Sequence, residues 1–149
     1  MAEMQLSIVV NRAPGEVFAF LSDLENDPRW RREWVDARAV TEGDLRVGSR
    51  SVLVGRALGR RFDVEYEVIE LVPNRTIGWR GRSGPMPLLF SRAVEPTNDG
   101  TRVTFVYQVE EGRLNRFLWP LLARVGRRQL EGDLPALTRL LEGSTPSSG

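Results

Sequence analysis

The stretch Arg60-Arg61-Phe62-Asp63-Val64-Glu65-Tyr66-Glu67-Val68-Ile69-Glu70-Leu71-Val72 decides the fold of this chain. Phe62, Val64, Tyr66 and Val68 alternate with Asp63, Glu65 and Glu67, the period of a strand with one buried face. Turn chemistry brackets it on both sides. Ala57-Leu58-Gly59 closes a hairpin back onto residues 49–56, and Pro73-Asn74 turns the chain into residues 75–82. Further out, residues 35–41 form a strand before the turn region 42–48, and Ser83-Gly84-Pro85 interrupts the pattern once. Residues 87–95 and 102–110 complete the set, joined by Pro96-Thr97-Asn98-Asp99-Gly100, a strong hairpin signal. Six consecutive strands with short turns predict an antiparallel meander, and residues 4–10 add a seventh strand ahead of it.

Helical periods lie at either end of the meander. Asn11-Arg12-Ala13-Pro14 breaks the first strand, and Val17, Phe18, Phe20, Leu21 and Leu24 then recur at helical spacing, with Pro14 in the first turn. Asn26-Asp27-Pro28 predicts the cap of a second short helix running through Trp34. The last apolar stripe, from Leu114 through Phe117, Leu118, Leu121, Leu122, Val125, Leu130, Leu134, Leu137, Leu140 and Leu141, predicts a long helix over residues 114–142. Pro120 marks its first turn, Pro135 removes one backbone donor, and Gly143 ends it. Residues 1–143 therefore read as one α+β domain, with 144–149 expected to be a disordered tail.

Composition removes more chemistry than any motif adds. The chain of 149 residues has no Cys and no His, and all 21 of its basic residues are Arg. A disulfide frame, a thiolate or imidazole metal site, a His triad, a Schiff base and a P-loop are all excluded. Neither a metal nor another cofactor is expected. With 20 acidic residues the formal charge is only +1, which argues against nucleic acid as a partner. The amino terminus lacks the pattern of a signal peptide, and the longest apolar run, residues 117–125, is far too short to span a bilayer. A cytoplasmic location without an integral membrane segment is expected, as a monomer or homodimer.

A sheet of this size must cover its apolar face, and only the terminal helix is long enough to do so. The space between the two layers is the default position for a ligand. Alternation turns Phe62, Val64, Tyr66, Val68, Ile77, Trp79, Val103, Phe105, Tyr107 and Val109 inward. On this basis the candidate ligand-contacting residues are Trp30, Tyr66, Trp79, Phe90, Phe105, Tyr107, Leu118, Leu122, Val125 and Arg128. Trp119 belongs at the rim or on the surface. Gln129 and Arg92 are the other polar groups able to reach the interior, although an Arg there favours snorkelling to water. The pairs Arg31-Arg32, Arg60-Arg61 and Arg127-Arg128 read as solvated surface.

Several segments resemble the START/polyketide-cyclase (SRPBCC) superfamily. They are Ala13-Pro14-Gly15-Glu16-Val17-Phe18-Ala19-Phe20-Leu21-Ser22-Asp23 with Pro28-Arg29-Trp30, then Glu70-Leu71-Val72-Pro73-Asn74-Arg75-Thr76-Ile77-Gly78-Trp79, Gly100-Thr101-Arg102-Val103-Thr104-Phe105 and Asp133-Leu134-Pro135-Ala136-Leu137. The resemblance covers nearly the whole chain. It implies a helix-grip fold, in which a seven-stranded curved antiparallel sheet wraps around a long C-terminal helix, with two short helices after strand 1.

Three functions fit such a chain. The first is a carrier or sensor for a small hydrophobic or aromatic ligand, lipid or polyketide-like, and the absent side chains favour binding over catalysis. The second is a polyketide cyclase or dehydratase using carboxylate, Tyr or Arg groups. An interaction module without a ligand is the third, and it follows if aromatic side chains fill the interior. A carboxylate lining the void beside Tyr66 or Tyr107 separates the first two, because enolisation needs a base.

Overall fold

The computed structural model describes residues 2–57, 59–82, 88–109 and 119–143. Strand β1 (Ala2–Val10) leads into α1 (Pro14–Leu21) and a 3-10 segment (Leu24–Arg29). Six strands follow: β2 (Trp34–Ala39), β3 (Arg50–Ala57), β4 (Arg60–Val72), β5 (Thr76–Gly81), β6 (Leu88–Thr97) and β7 (Gly100–Val109). Helix α2 (Trp119–Gly143) comes last. The decisive segment is β4, with the predicted bounds.

The strands form one antiparallel sheet in the order β1-β7-β6-β5-β4-β3-β2. The meander is thus β2 to β7, and β1 pairs with β7 in the register Leu6 opposite Phe105. The β6–β7 hairpin closes on Asn98-Asp99, with Thr97 opposite Gly100. Gly100 has φ 133°, and a side chain there would run into the carbonyl oxygen of Val10, so only glycine lets this hairpin lie across the end of β1. This is the helix-grip fold, with one sheet face packed by α1, the 3-10 segment and α2.

Inward parity follows the expected residues. Val64, Tyr66, Val68, Ile77, Trp79, Phe90, Val94, Val103, Phe105 and Val109 are buried, while Asp63, Arg80, Arg82 and Arg102 are exposed. Helix α2 adds Leu130, Leu134, Leu137 and Leu141 from one stripe. Those four lie from the middle of the helix onward. Residues 119–129 include no buried side chain, and this is where sheet and helix leave space between them.

Four expectations need correction. The second short helix is a 3-10 segment that starts earlier, because Asp23 caps it by accepting from the Glu25 backbone N–H at 3.0 Å while the Asp27 carboxylate is bound elsewhere. Trp34 consequently opens β2, where it packs against Phe62 at 5.8 Å between ring centroids. Leu121 leaves the apolar stripe and is 59% exposed. Arg31 and Arg92, assigned to solvent, are both buried, since each finds a carboxylate inside. The predicted start of α2 at Leu114, Phe117 and Leu118, and the disordered tail, lie outside the described residues.

Candidate functional site

The interior polar groups come from the chain's irregular parts. The 3-10 segment ends at Arg29 with Trp30 as its C-cap, and Arg31 to Glu33 then lead into β2. Arg31 is the hub. Its Nε donates to Asp133 Oδ2 on α2 at 3.2 Å, its Nη1 to the Tyr107 hydroxyl on β7 at 2.8 Å, and its Nη2 to Glu33 Oε2 at 3.1 Å. Asp133 also accepts from Arg32 Nε at 2.9 Å. A single guanidinium therefore ties helix, sheet and connecting loop together.

A second buried pair stands deeper. Arg92 on β6 donates from Nη1 and Nη2 to the two Asp27 oxygens at 3.0 and 2.7 Å, and from Nη1 to the Leu21 carbonyl at 2.9 Å. The rings of Trp30, Trp79, Phe90 and Phe105 surround it with centroids 5.4 to 5.8 Å from Cζ. Among the described residues, Arg92 Nε and Trp30 Nε1 are buried without a hydrogen-bond partner.

Burial and neighbouring charge act in opposite directions on these groups. For Arg31, burial disfavours the cation, but Tyr107, Glu33, Asp27 and Asp133 outweigh it and raise the pKa. Arg92 is raised in the same way, against burial, chiefly by the charge and hydrogen bonds of Asp27. Glu33 titrates above the ordinary glutamate range because burial outweighs the attraction of Arg31, with Asp133 and Asp27 adding repulsion. Burial likewise pushes the Tyr66 phenol up.

Between sheet and helix lies a cavity of about 230 Å³. Met4, Leu88, Trp119, Leu122, Ala123, Val125 and Gly126 supply most of its lining, and Arg31, Glu33, Tyr107 and Gln129 are its polar groups. Arg31, Glu33, Leu88 and Tyr107 also line an inner chamber of about 40 Å³, together with Asp27, Trp34, Leu53, Tyr66, Phe90 and Arg92. The shared residues place the polar end of the cavity at its inner limit. A larger recess of about 480 Å³ is lined by groups such as Arg75, Glu95, Arg102 and Thr104, which belong to the opposite, solvated face of the sheet.

The sequence candidates divide four ways. Tyr107, Leu122 and Val125 line the cavity, and Tyr66, Phe90 and Tyr107 line the inner chamber. Trp30, Trp79 and Phe105 are packed around Arg92 and line neither space. Aromatic contact joins the groups, with Phe90 stacked on Trp79 at 4.7 Å and on Tyr107 at 5.7 Å, and edge-on to Tyr66 at 4.9 Å. Arg128 is exposed on α2, away from the cavity. Leu118 lies outside the described residues.

Sequence reasoning missed Arg31, Glu33, Asp27 and Asp133. Strand alternation carried no sign of them, because none lies in a strand. The available signal was Arg92, whose inward parity on β6 required an acid from elsewhere in the fold. The arrangement provides a carboxyl, a guanidinium and a phenol at one end of an apolar space. That set can hold an oxygen-bearing ligand, or exchange a proton with it. Among the described residues no acidic cluster could hold a metal ion, and no helix is long and apolar enough to cross a membrane.

A family model described as polyketide cyclase / dehydrase and lipid transport matches residues 1–142. No curated protein matches the sequence. Among solved structures, protein NE0264 from Nitrosomonas europaea is similar at 19% identity and TM-score 0.75, over 95% of this chain and 94% of that one. The di-domain ARO/CYC BexL from the BE-7585A biosynthetic pathway is similar at 21% identity and TM-score 0.76, over 95% of this chain and 47% of that one. This chain thus spans about half of the di-domain protein. The protein TTHA0849 from Thermus thermophilus is similar at 19% identity and TM-score 0.70, with 95% of each chain covered. At such identities the likeness shows a shared fold.

Proposed function

We propose that this chain, which belongs to the polyketide cyclase / dehydrase and lipid transport family, holds one small ligand with an apolar body and a polar end between its sheet and α2. The supporting observation is the cavity of about 230 Å³, apolar along most of its lining and closed inside by Arg31, Glu33 and Tyr107. Its volume is below the usual range of about 300–1,000 Å³, which points to a compact guest of one or two rings. A carrier or sensor needs only this. Native mass spectrometry of the purified chain tests it, with a stoichiometric co-purifying molecule as the expected result. Thermal shift against a library of compact aromatic and lipid-like compounds is an independent check, since a ligand at 100 times its Kd stabilises by about 2.7 kcal/mol. A chain that is ligand-free and unmoved by every such compound overturns the reading.

The second reading, a cyclase or dehydratase, is favoured by Glu33. This is a carboxyl in the cavity lining beside Tyr107, the group that enolisation requires. Glu33 would take a proton from a carbon between two carbonyls, while Arg31 and Tyr107 would hold the oxygen that gains charge. The carbanion would close a ring on a third, more distant carbonyl, Glu33 would return its proton to the resulting alkoxide, and loss of that hydroxyl together with a second α-proton would release water. Turnover of a short poly-β-ketone, lost about 10²–10⁴-fold in Glu33→Gln while binding persists, is the result that would select this reading. Binding without turnover leaves the carrier.

A further inference from the structure

The polar end of the cavity already carries its own counter-charges. Two buried guanidinium groups stand there, Arg31 and Arg92, against the three carboxyls Asp27, Glu33 and Asp133. Arg92 is closed off by its two bonds to Asp27 and the surrounding rings. Arg31 is matched by Asp133, which leaves Glu33 as the additional acid. Arg32 also binds Asp133, but its side chain is 80% exposed and its charge is screened by water. Glu33 faces Arg31 from its own loop, Asp27 from the 3-10 segment, Tyr66 from β4, Arg92 from β6, Tyr107 from β7 and Asp133 from α2.

We propose that this cavity, if it is the ligand site proposed above, selects guests whose polar end is an uncharged oxygen, such as a ketone or a hydroxyl, and discriminates against the corresponding carboxylate. A neutral oxygen can accept one of the remaining N–H groups of Arg31 and leave the charge balance unchanged. An anion beside ionised Glu33 adds a negative charge for which no buried cation among the described residues is unmatched, and an uncompensated charge in an apolar recess is costly. The carboxylate can enter only when Glu33 takes up a proton, the state that burial already favours. Its binding is therefore coupled to proton uptake, and that of the ketone is not.

The test compares 2-acetylnaphthalene with 2-naphthoate, two guests of similar shape, by calorimetric titration of the full chain at pH 8. The ketone is expected to bind at least about tenfold more tightly, a difference of about 1.4 kcal/mol. In paired buffers of different ionisation enthalpy, naphthoate binding is expected to take up close to one proton and ketone binding none. Glu33→Gln is expected to narrow the affinity ratio to within about threefold by removing the additional acid. Should that variant fail to fold, proton uptake by the unmodified chain decides alone. Equal affinities without proton uptake overturn the selectivity and leave the cavity as a ligand site. Failure of both guests to bind a chain that is also ligand-free by native mass spectrometry overturns the cavity reading and this inference with it.

Discussion

Arg92 and Asp27 form a two-pronged ion pair, 1% and 2% exposed, that joins the centre of the sheet to the 3-10 segment inside a shell of four aromatic rings. The pair is costly to bury and far more costly to break. Asp27→Ala leaves the guanidinium charged among the rings, and an expected loss of about 3–5 kcal/mol follows, read by chemical denaturation. Asp27→Leu combined with Arg92→Met removes both charges and is expected to be more stable than either single change. A double variant as unstable as the singles would show that packing of the rings, and not charge, holds this region.

Asp133 accepts from Arg31 and from Arg32, but the two donors differ in environment. Arg31 is 5% exposed, whereas the Arg32 side chain is 80% exposed. Asp133→Ala is expected to cost about 3 kcal/mol, the lower end of the range for a broken buried pair, and to speed amide hydrogen exchange in α2. Arg32→Ala is expected to cost no more than about 1 kcal/mol. Equal losses in the two variants would place the tie in the exposed bond.

The sheet was legible because each strand repeats its own message. The alternation in residues 60–72 and 103–109, with Asn98-Asp99 between two paired strands, fixes face and neighbour locally. The site was legible only in part. Arg31 meets Asp133 across 102 residues and Tyr107 across 76, and no periodicity connects a loop, a strand and a helix at such separations. The same limit explains Trp30, Trp79 and Phe105. Inward parity identified them correctly as interior, but could not separate the wall of a cavity from the packing around Arg92.

Glu33 links stability to pH with a definite sign. Its pKa in the folded chain lies above the ordinary value of 4.5, so the protonated form is the one folding favours. The stabilisation from that proton is complete below pH 4.5 and is lost as pH rises through the folded value. Glu33→Gln imitates the protonated state. The variant is expected to have a higher melting temperature than the unmodified chain at pH 7 to 8, and the gap is expected to close by about pH 4. A variant less stable at pH 8 would mean that the bond from Arg31 outweighs the burial of the carboxylate.

Gly126 allows the cavity to be closed without disturbing the fold. It lines the cavity from within α2, and a Cβ built there would meet only the Met4 methyl, at 3.9 Å, an ordinary contact. In a helix interior glycine is about 1 kcal/mol worse than a good helix former. Gly126→Leu should therefore gain about 0.5–1 kcal/mol in stability from helix propensity while its side chain occupies space that a ligand would use. Thermal melting of the empty variant checks the first effect, and the loss of any ligand-induced shift checks the second. The two effects have opposite consequences for function, so a variant that melts higher but no longer responds to ligand locates the binding site beneath the first half of α2. A ligand shift of unchanged size in that variant would move the site elsewhere.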